Sequence, residues 1–191
     1  MNKENYRIET VSGQFVDVTN PTPETILLDD IAWALSRMAR FCGHTVTAIP
    51  YNVCQHSVFV AKMVLEAGGT NDMARFALFH DAAEYVTGDF PSPLKRVPDL
   101  RPVIKQIEDR LLHVIFEKFC GRQPFDAEWK VVKDYDLIAQ QIEAHAFMFS
   151  RGANWNFPEP HPSLIDYQSF PAPKTAIESY ADFIQMEKDW R

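Results

Sequence analysis

The stretch "ALFHDAAEYVTGDFPSPLKR", residues 77–96, sets a histidine, two aspartates and a glutamate between an apolar run and a pair of prolines, with two basic residues following. Ala77, Leu78 and Phe79 read as core. The ionisable groups that follow them therefore enter a half-buried place where each needs a partner, because an unpaired buried charge costs several kcal/mol or changes its protonation. In a continuous helix Glu84 lies four residues after His80 and three after Asp81, so it shares a face with both and the cluster can chelate. The alternative for a single His-Asp dipeptide is an exposed polar stripe. Gly88, Pro91 and Pro93 end the helix and stiffen the loop beside it.

Helix signals flank this stretch on both sides. An acidic start at Asp29 leads into a stripe of Ile31, Ala34, Leu35 and Met38, with a stop near "RFCGHT" where Gly43 ends the helix. A second helix is predicted from about Asn52 to Ala67, and a third from Asn71 or Asp72 through the quoted stretch to Gly88. A fourth, from about Pro102 to Cys120, carries Ile104, Ile107, Leu111 and Val114 or Ile115 at helical spacing, and Gly121 ends it. The fifth runs from about Asp126 to Ser150. The last, from about Lys174 to Lys188, presents Ile177, Ala181 and Ile184.

Alternation around Phe15 and Val18 suggests a short strand or extended arm closed by "NPTP". The proline-studded connection over residues 157–173 is long for a compact domain, and is either a functional flap or a segment packed on a partner subunit. The expected class is all-α, a helical bundle with a short extended N-terminal arm.

A chain of 191 residues suits one domain with a sizeable core. Its net charge of −7 argues against tracking a nucleic-acid duplex, which needs clustered Lys and Arg, though a nucleotide pocket needs only a few local cations or a metal. Cys42, Cys54 and Cys120 are widely spaced without a CxxC, which fits reduced, structural thiols. No apolar run reaches the roughly 20 residues of a membrane span, and "MNKENYRIET" has no apolar signal segment. The expected location is the cytoplasm, with no membrane partner and no stable nucleic-acid partner.

Two further groups with ligand chemistry fall on helices, His56 near the start of the second and Asp136 inside the fifth. Two imidazoles and two carboxylates from separate helices make a bundle-core site suited to Mn, Fe, Co or Zn. "QHS" at 55–57, "HDAAE" at 80–84, "TGDFPSPLK" at 87–95 and "KDYD" at 133–136 together resemble the H…HD…D signature of HD-domain phosphohydrolases. "RFCGHT" at 40–45 and "LKR" after "GDFPSP" are similar to the bacterial 5′-deoxynucleotidase group and its phage relatives, including phage dATP triphosphohydrolases. The resemblance covers about residues 13–150 of what is read as a single domain over 1–191; the part after 150 is a C-terminal extension and helix.

The resemblance implies that His56, His80, Asp81 and Asp136 bind a divalent ion, with Mn, Co, Zn, Fe and Mg open and one or more ions per site. Neutral imidazoles and carboxylates suit such an ion while leaving positions for water and a phosphate oxygen, the arrangement of metal-assisted hydrolysis. Glu84 matches a position that orients or deprotonates the attacking water, or ligates a second ion. Asp89 matches a carboxylate near the leaving-group oxygen or the sugar, a role that a raised pKa would suit; its alternative is turn chemistry at a helix end. Lys95 and Arg40 match phosphate-binding bases, with an exposed helix-end cation as the alternative for Arg40.

His44, after Gly43, is a phosphate contact, an auxiliary ligand or a core histidine. Phe41 and Trp33 stack on a base or belong to the core. His113 and His161 read as structural or solvated, His145 as packing, and Glu143 as a partner that orients a ligand histidine.

One departure bears on the substrate. The deoxynucleotidases carry Arg-Trp before the first metal histidine, whereas this chain has Arg40-Phe41 and a longer insertion, "CGHTVTAIPYNVC", before Gln55-His56. The implied activity is hydrolysis of deoxynucleoside monophosphates, with a dATP or dNTP triphosphohydrolase as the alternative. A helical protein with a merely structural metal stands as a non-enzymatic reading. A small-molecule deoxynucleotide is the expected partner. The connection and the apolar last helix suggest a homo-oligomer.

Overall fold

A computed structural model describes residues 6–157 and 172–190 of the chain. The N-terminal arm is a hairpin, β1 (Arg7–Glu9) paired antiparallel with β2 (Phe15–Asp17). The helices follow in order: α1 (Leu28–Arg37), α2 (Val53–Glu66), α3 (Asn71–Phe79), α4 (Glu84–Thr87), α5 (Ser92–Lys95), α6 (Arg101–Cys120), α7 (Asp126–Phe147) and α8 (Ala176–Asp189). The class is all-α, as expected. Most of the Pro-rich connection and His161 lie outside the described residues.

Helix α2 is the axis of the bundle. Ten of its 14 residues are buried, on more than one side, which is the pattern of a helix enclosed by others. Its neighbours are α1, α3, α7 and α8. Asn52 starts it by accepting from Gln55 N–H at 2.9 Å, an N-cap that satisfies one of the free amides of the first turn. The amide of the same side chain donates to Ser179 Oγ of α8 at 2.9 Å.

Where the sequence predicts one long third helix, the chain breaks at the histidine. Helix α3 ends at Phe79, and residues 80–83 form tighter turns, with Ala82 N–H on Phe79 O and Glu84 N–H on Asp81 O. The cause is local: the Ala77 carbonyl, which a continuing helix would offer to the Asp81 amide, accepts from His80 Nδ1 at 2.6 Å. Helix α1 likewise stops at Arg37, short of Gly43, because Met38 and Ala39 are extended and Arg40 N–H bonds to Tyr51 O while Val53 N–H bonds to Met38 O. Helix α7 ends at Phe147 rather than Ser150, its last carbonyl accepting from Val46 N–H at 2.8 Å. The loop after Gly88 contains the short α5, which the sequence did not signal.

The hairpin is held to α1 by one carboxylate. Asp30, almost fully buried, accepts from Thr10 Oγ1, Ser12 Oγ and Ser12 N–H at 2.7–3.1 Å. Beneath it Val16 and Ile26 enter the core.

Helix α8 is held inside the chain by a face other than the predicted stripe: Ser179, Phe183 and Glu187 are buried, whereas Ile177 and Ala181 are exposed and Ile184 is half-buried. Phe183 is fully buried, its ring edge-on to Phe79 at 5.6 Å, and Cys54 Sγ bonds to Ser179 O at 3.0 Å. No helix among the described residues is long and apolar enough to cross a membrane. Phe183→Ala is expected to cost about 3–5 kcal/mol of unfolding free energy, read as a lowered urea midpoint at unchanged m-value.

Candidate metal centre and its pocket

The four predicted ligands come from three separate places in the bundle: His56 from α2, His80 and Asp81 from the turn after α3, and Asp136 from α7. One donor atom from each lies within 4.8 Å of all the others. His56 Nε2 is 3.2 Å from His80 Nε2 and 3.1 Å from Asp136 Oδ1, while Asp81 Oδ2 is 3.2 Å from His80 Nε2 and 3.5 Å from His56 Nε2. Donors bound to a single ion at about 2.0–2.2 Å stand roughly 3.0–3.5 Å apart at neighbouring positions. The cluster has that size.

Hydrogen bonding fixes the tautomers. A carbonyl can only accept, so His80 Nδ1 carries the proton it gives to Ala77 O. His56 Nδ1 donates to Glu143 Oε1 at 2.7 Å, the second-partner arrangement typical of metal-binding histidines. Both Nε2 atoms are left pointing into the cluster beside two carboxylate oxygens. Lone pairs facing one another at such distances repel unless a cation stands among them, so the residues present fit a divalent metal ion.

In the metal-free chain a proton does part of that work. Burial acts to lower the His80 pKa, but the charges of Asp81 and Asp136 outweigh it and raise the value to about 10. Burial would raise both carboxylates, yet the His80 cation holds Asp81 well below the usual range, and Lys133 with His80 does the same for Asp136.

Glu143 is the carboxylate behind the cluster. Fully buried, it accepts from His56 through one oxygen and from Arg40 Nε through the other, at 3.1 Å. Arg40 also lies 3.6 Å from Asp81 Oδ2. It is buried rather than an exposed helix-end cation, and its neighbouring carboxylates raise its pKa against the effect of burial.

A cavity of about 640 Å³ opens over the cluster. Asp81 and Asp136 reach it, and so do Glu84, Asp89, Arg40, Phe41, His44 and Lys95. Every candidate site residue therefore either holds the cluster or lines the space above it. Glu84, the first residue of α4, is pushed well above the carboxylate range by burial and by Asp81, against the pull of Lys95. Its Oε1 accepts from Lys95 Nζ at 2.9 Å, while its buried Oε2 has no hydrogen-bond partner among the described residues. Lys95 also pairs with Glu108 at 3.0 Å. Asp89 is raised by burial and by Asp81, with Arg40 and Lys95 opposing.

His44 is exposed on the cavity side and is not a core histidine. Trp33 is elsewhere: its ring lies 3.3 Å under the Arg37 guanidinium and edge-on to Tyr180. His113 is exposed, its carbonyl accepting from Gln123.

Sequence reasoning missed Lys133, Trp155 and Phe157, all of which line the cavity. Lys133 was legible in "KDYD", since a residue three before Asp136 on a helix falls beside it, and the two side chains form an ion pair. Trp155 and Phe157 sit in "RGANWNF", beyond the last motif.

Residues 31–148 match the family described as YfbR-like 5′-deoxynucleotidases. The chain is 32% identical to YfdR, an uncharacterised protein of Escherichia coli K12, over 95% of this chain and 97% of that one. It is 31% identical to a 5′-deoxynucleotidase of Pasteurella multocida over 47% of this chain and 53% of that protein, so it spans about half the length of that relative. Among solved structures, the HD phosphohydrolase DatZ of cyanophage S-2L, bound to dA and one catalytic Zn²⁺ ion, superposes with a TM-score of 0.52 at 20% identity, covering 84% of this chain and 94% of that one. At that identity the likeness speaks for the fold, whereas the sequence match extends across α1 to α7 and takes in the whole histidine and carboxylate cluster. The chain thus belongs to the YfbR-like 5′-deoxynucleotidase family.

Proposed function

We infer that the chain is a metal-dependent hydrolase that removes phosphate from deoxynucleoside 5′-monophosphates. The observation that carries this is the convergence of two Nε2 lone pairs and two carboxylates at the floor of a 640 Å³ cavity. Family membership and the phosphatase named among the relatives support the substrate class. Asp81 and Asp136 both touch the cavity, so a reactant can reach an ion held there, unlike one in a closed structural site.

A bound divalent ion supplies Lewis acidity, making water a better nucleophile near neutral pH and offsetting phosphate charge. The rest falls to the chain. His56, His80, Asp81 and Asp136 hold the ion. Glu84, with an unpartnered buried oxygen, orients the attacking water; its carboxyl is raised by burial and by Asp81, and the positive charge of a bound ion would oppose that rise and leave it ionised to take the proton. Arg40 and Lys95 hold phosphate oxygens by charge-assisted hydrogen bonds. Asp89, whose raised pKa favours the protonated form, delivers a proton to O5′ as the P–O5′ bond breaks. Water oxygen ends on phosphorus, and the deoxynucleoside leaves with the proton from Asp89. His44 and Phe41 lie on the sugar and base side. The fit of the cluster leaves the identity of the metal open among Mn, Co, Zn, Fe and Mg.

Incubation with each of the four dNMPs and four dNTPs, with Mn or Co added, is expected to yield inorganic phosphate from dNMPs; release of triphosphate from a dNTP instead would mark a triphosphohydrolase. Asp81→Ala should lose bound metal and turnover together, and full metal occupancy by elemental analysis would remove Asp81 from the ligand set. Glu84→Gln should keep the metal yet lose roughly 10²–10⁴-fold in kcat, and a near-normal rate would exclude it as the base.

Metal binding also carries a proton signature. A protonated His80 stabilises the metal-free fold below its ordinary value of 6.5, and that contribution is lost as pH rises through about 10. Ion binding at neutral pH must expel this proton, about one per ion. Calorimetry in buffers of different ionisation enthalpy should read that release at pH 7 and its disappearance above about pH 10; no release at pH 7 would show that His80 is neutral before the ion binds and so contradict its raised pKa.

A further inference from the structure

The cavity lining is of two chemical kinds. Asp81, Asp136, Glu84 and Lys95 are charged, whereas Phe41, Trp155 and Phe157 form an aromatic group. The Trp155 ring is 5.7 Å from Phe41 at 63° and 5.7 Å from Phe157 at 35°. Trp155, Phe157 and Phe41 are each only half-buried, so aromatic surface is left facing the space they line.

Both segments that bring these rings together are held in unusual backbone conformations. Phe41 and Cys42 are left-handed at φ 54° and 53°, and Arg151 and Asn156 at 52° and 48°, conformations that persist in such residues only where the surroundings over-determine them. Gly152, also left-handed, packs so closely that a Cβ there would stand 3.1 Å from the Phe157 ring and 3.3 Å from Ala144 Cβ. Successive turns, Arg151 N–H to Met148 O, Ala153 N–H to Ser150 O and Trp155 N–H to Gly152 O at 3.0–3.1 Å, fold the loop onto the end of α7. On the facing side the Arg40 guanidinium lies 5.5 Å over the Phe41 ring, so the same residue links the aromatic group to the Glu143 pair.

We propose that Trp155, supported by Phe157 and Phe41, is the stacking wall for the nucleobase, and that it selects for the presence of a base rather than for its identity. The proposal rests on the deoxynucleotidase reading above. Trp155 and Phe157 lie beyond the family match, which ends at residue 148, whereas Phe41 lies within it. Aromatic stacking suits any base, because every base has a π-face.

Three variants and two kinds of ligand test this. Trp155→Ala is expected to raise KM for dNMPs on the order of 10- to 100-fold, with the larger share of the loss in KM rather than kcat. On 2-deoxyribose 5-phosphate, which has no base, the ratio of wild type to variant should shrink to within about twofold. Trp155→Phe should recover most of the affinity, whereas Trp155→Leu, which keeps apolar volume without a ring, should not. An equal loss on both substrates, or no loss on either, would overturn the stacking role.

Direct calorimetric titration with deoxyadenosine and thymidine separates this proposal from the activity reading. If wild type hydrolyses no dNMP but binds these nucleosides in a manner lost in Trp155→Ala, the activity reading fails and the wall stands. If wild type hydrolyses dNMPs while nucleoside binding is the same in the variant, the wall fails and the activity reading stands. Absence of both binding and hydrolysis in wild type overturns both.

Discussion

One buried carboxylate organises this molecule. Glu143 has no exposed surface, and a carboxylate in that position is tolerable only with donors on its oxygens. It has two, His56 Nδ1 and Arg40 Nε. The first bond locks α2 against α7 and leaves His56 Nε2 facing the cluster. The second draws Arg40 inward and so fixes the turn that follows α1. Removing Glu143 would leave a guanidinium buried beside Asp81 and would free the imidazole to rotate. The metal-site geometry therefore depends on a residue that touches neither metal nor cavity.

The same electrostatic demand governs the cluster. Asp81, Asp136, Glu84, Asp89 and Glu143 crowd a small volume, and Arg40, Lys95 and Lys133 are drawn onto them. Each base has a carboxylate partner. A proton on His80, whose pKa the two aspartates raise, adds to this compensation, and a divalent ion bound there would displace it. This gives the pairs of Lys95 with Glu84 and of Lys133 with Asp136 a second meaning. A bound ion that took up negative charge from the floor would weaken the hold of those carboxylates on the lysines and leave them better able to meet an anion.

Most of the helices were legible in the sequence, because caps, glycine stops and apolar spacing are local signals: Asn52 starts α2, and Gly121 stops α6. The four residues that the resemblance implied as ligands do converge, and the role expected of Glu143 agrees with its bond to His56. Errors fall where a tertiary bond overrides a local preference. The early end of α1 comes from its bridge to residues 51–53, the break in α3 from the His80 side chain taking a backbone carbonyl, and the early end of α7 from Val46. Each error lies at the wall of the cavity, where shape is set by the site and not by propensity. Trp155 could not be found this way, since an aromatic residue in a glycine-bearing loop carries no periodic signal and its meaning comes only from what faces it.

The limit of the family match at residue 148 is not a limit of the structure. Gln55, adjacent to the ligand His56, uses its amide to hold both Ala172 O and Lys174 N–H at 2.9–3.1 Å, just before α8 begins. Asn52 and Cys54 are tied to Ser179 in α8 itself. One face of the first turn of α2 thus presents a ligand to the cluster, while the other is clamped by the end of the chain. A shift of α8 would be transmitted to His56 through three bonded positions, 52, 54 and 55, because a helix start fixed by side-chain bonds cannot slide without breaking them. The C-terminal extension therefore acts on the site twice, bracing the helix that carries the first histidine and supplying Trp155 and Phe157 to the aromatic lining of the cavity.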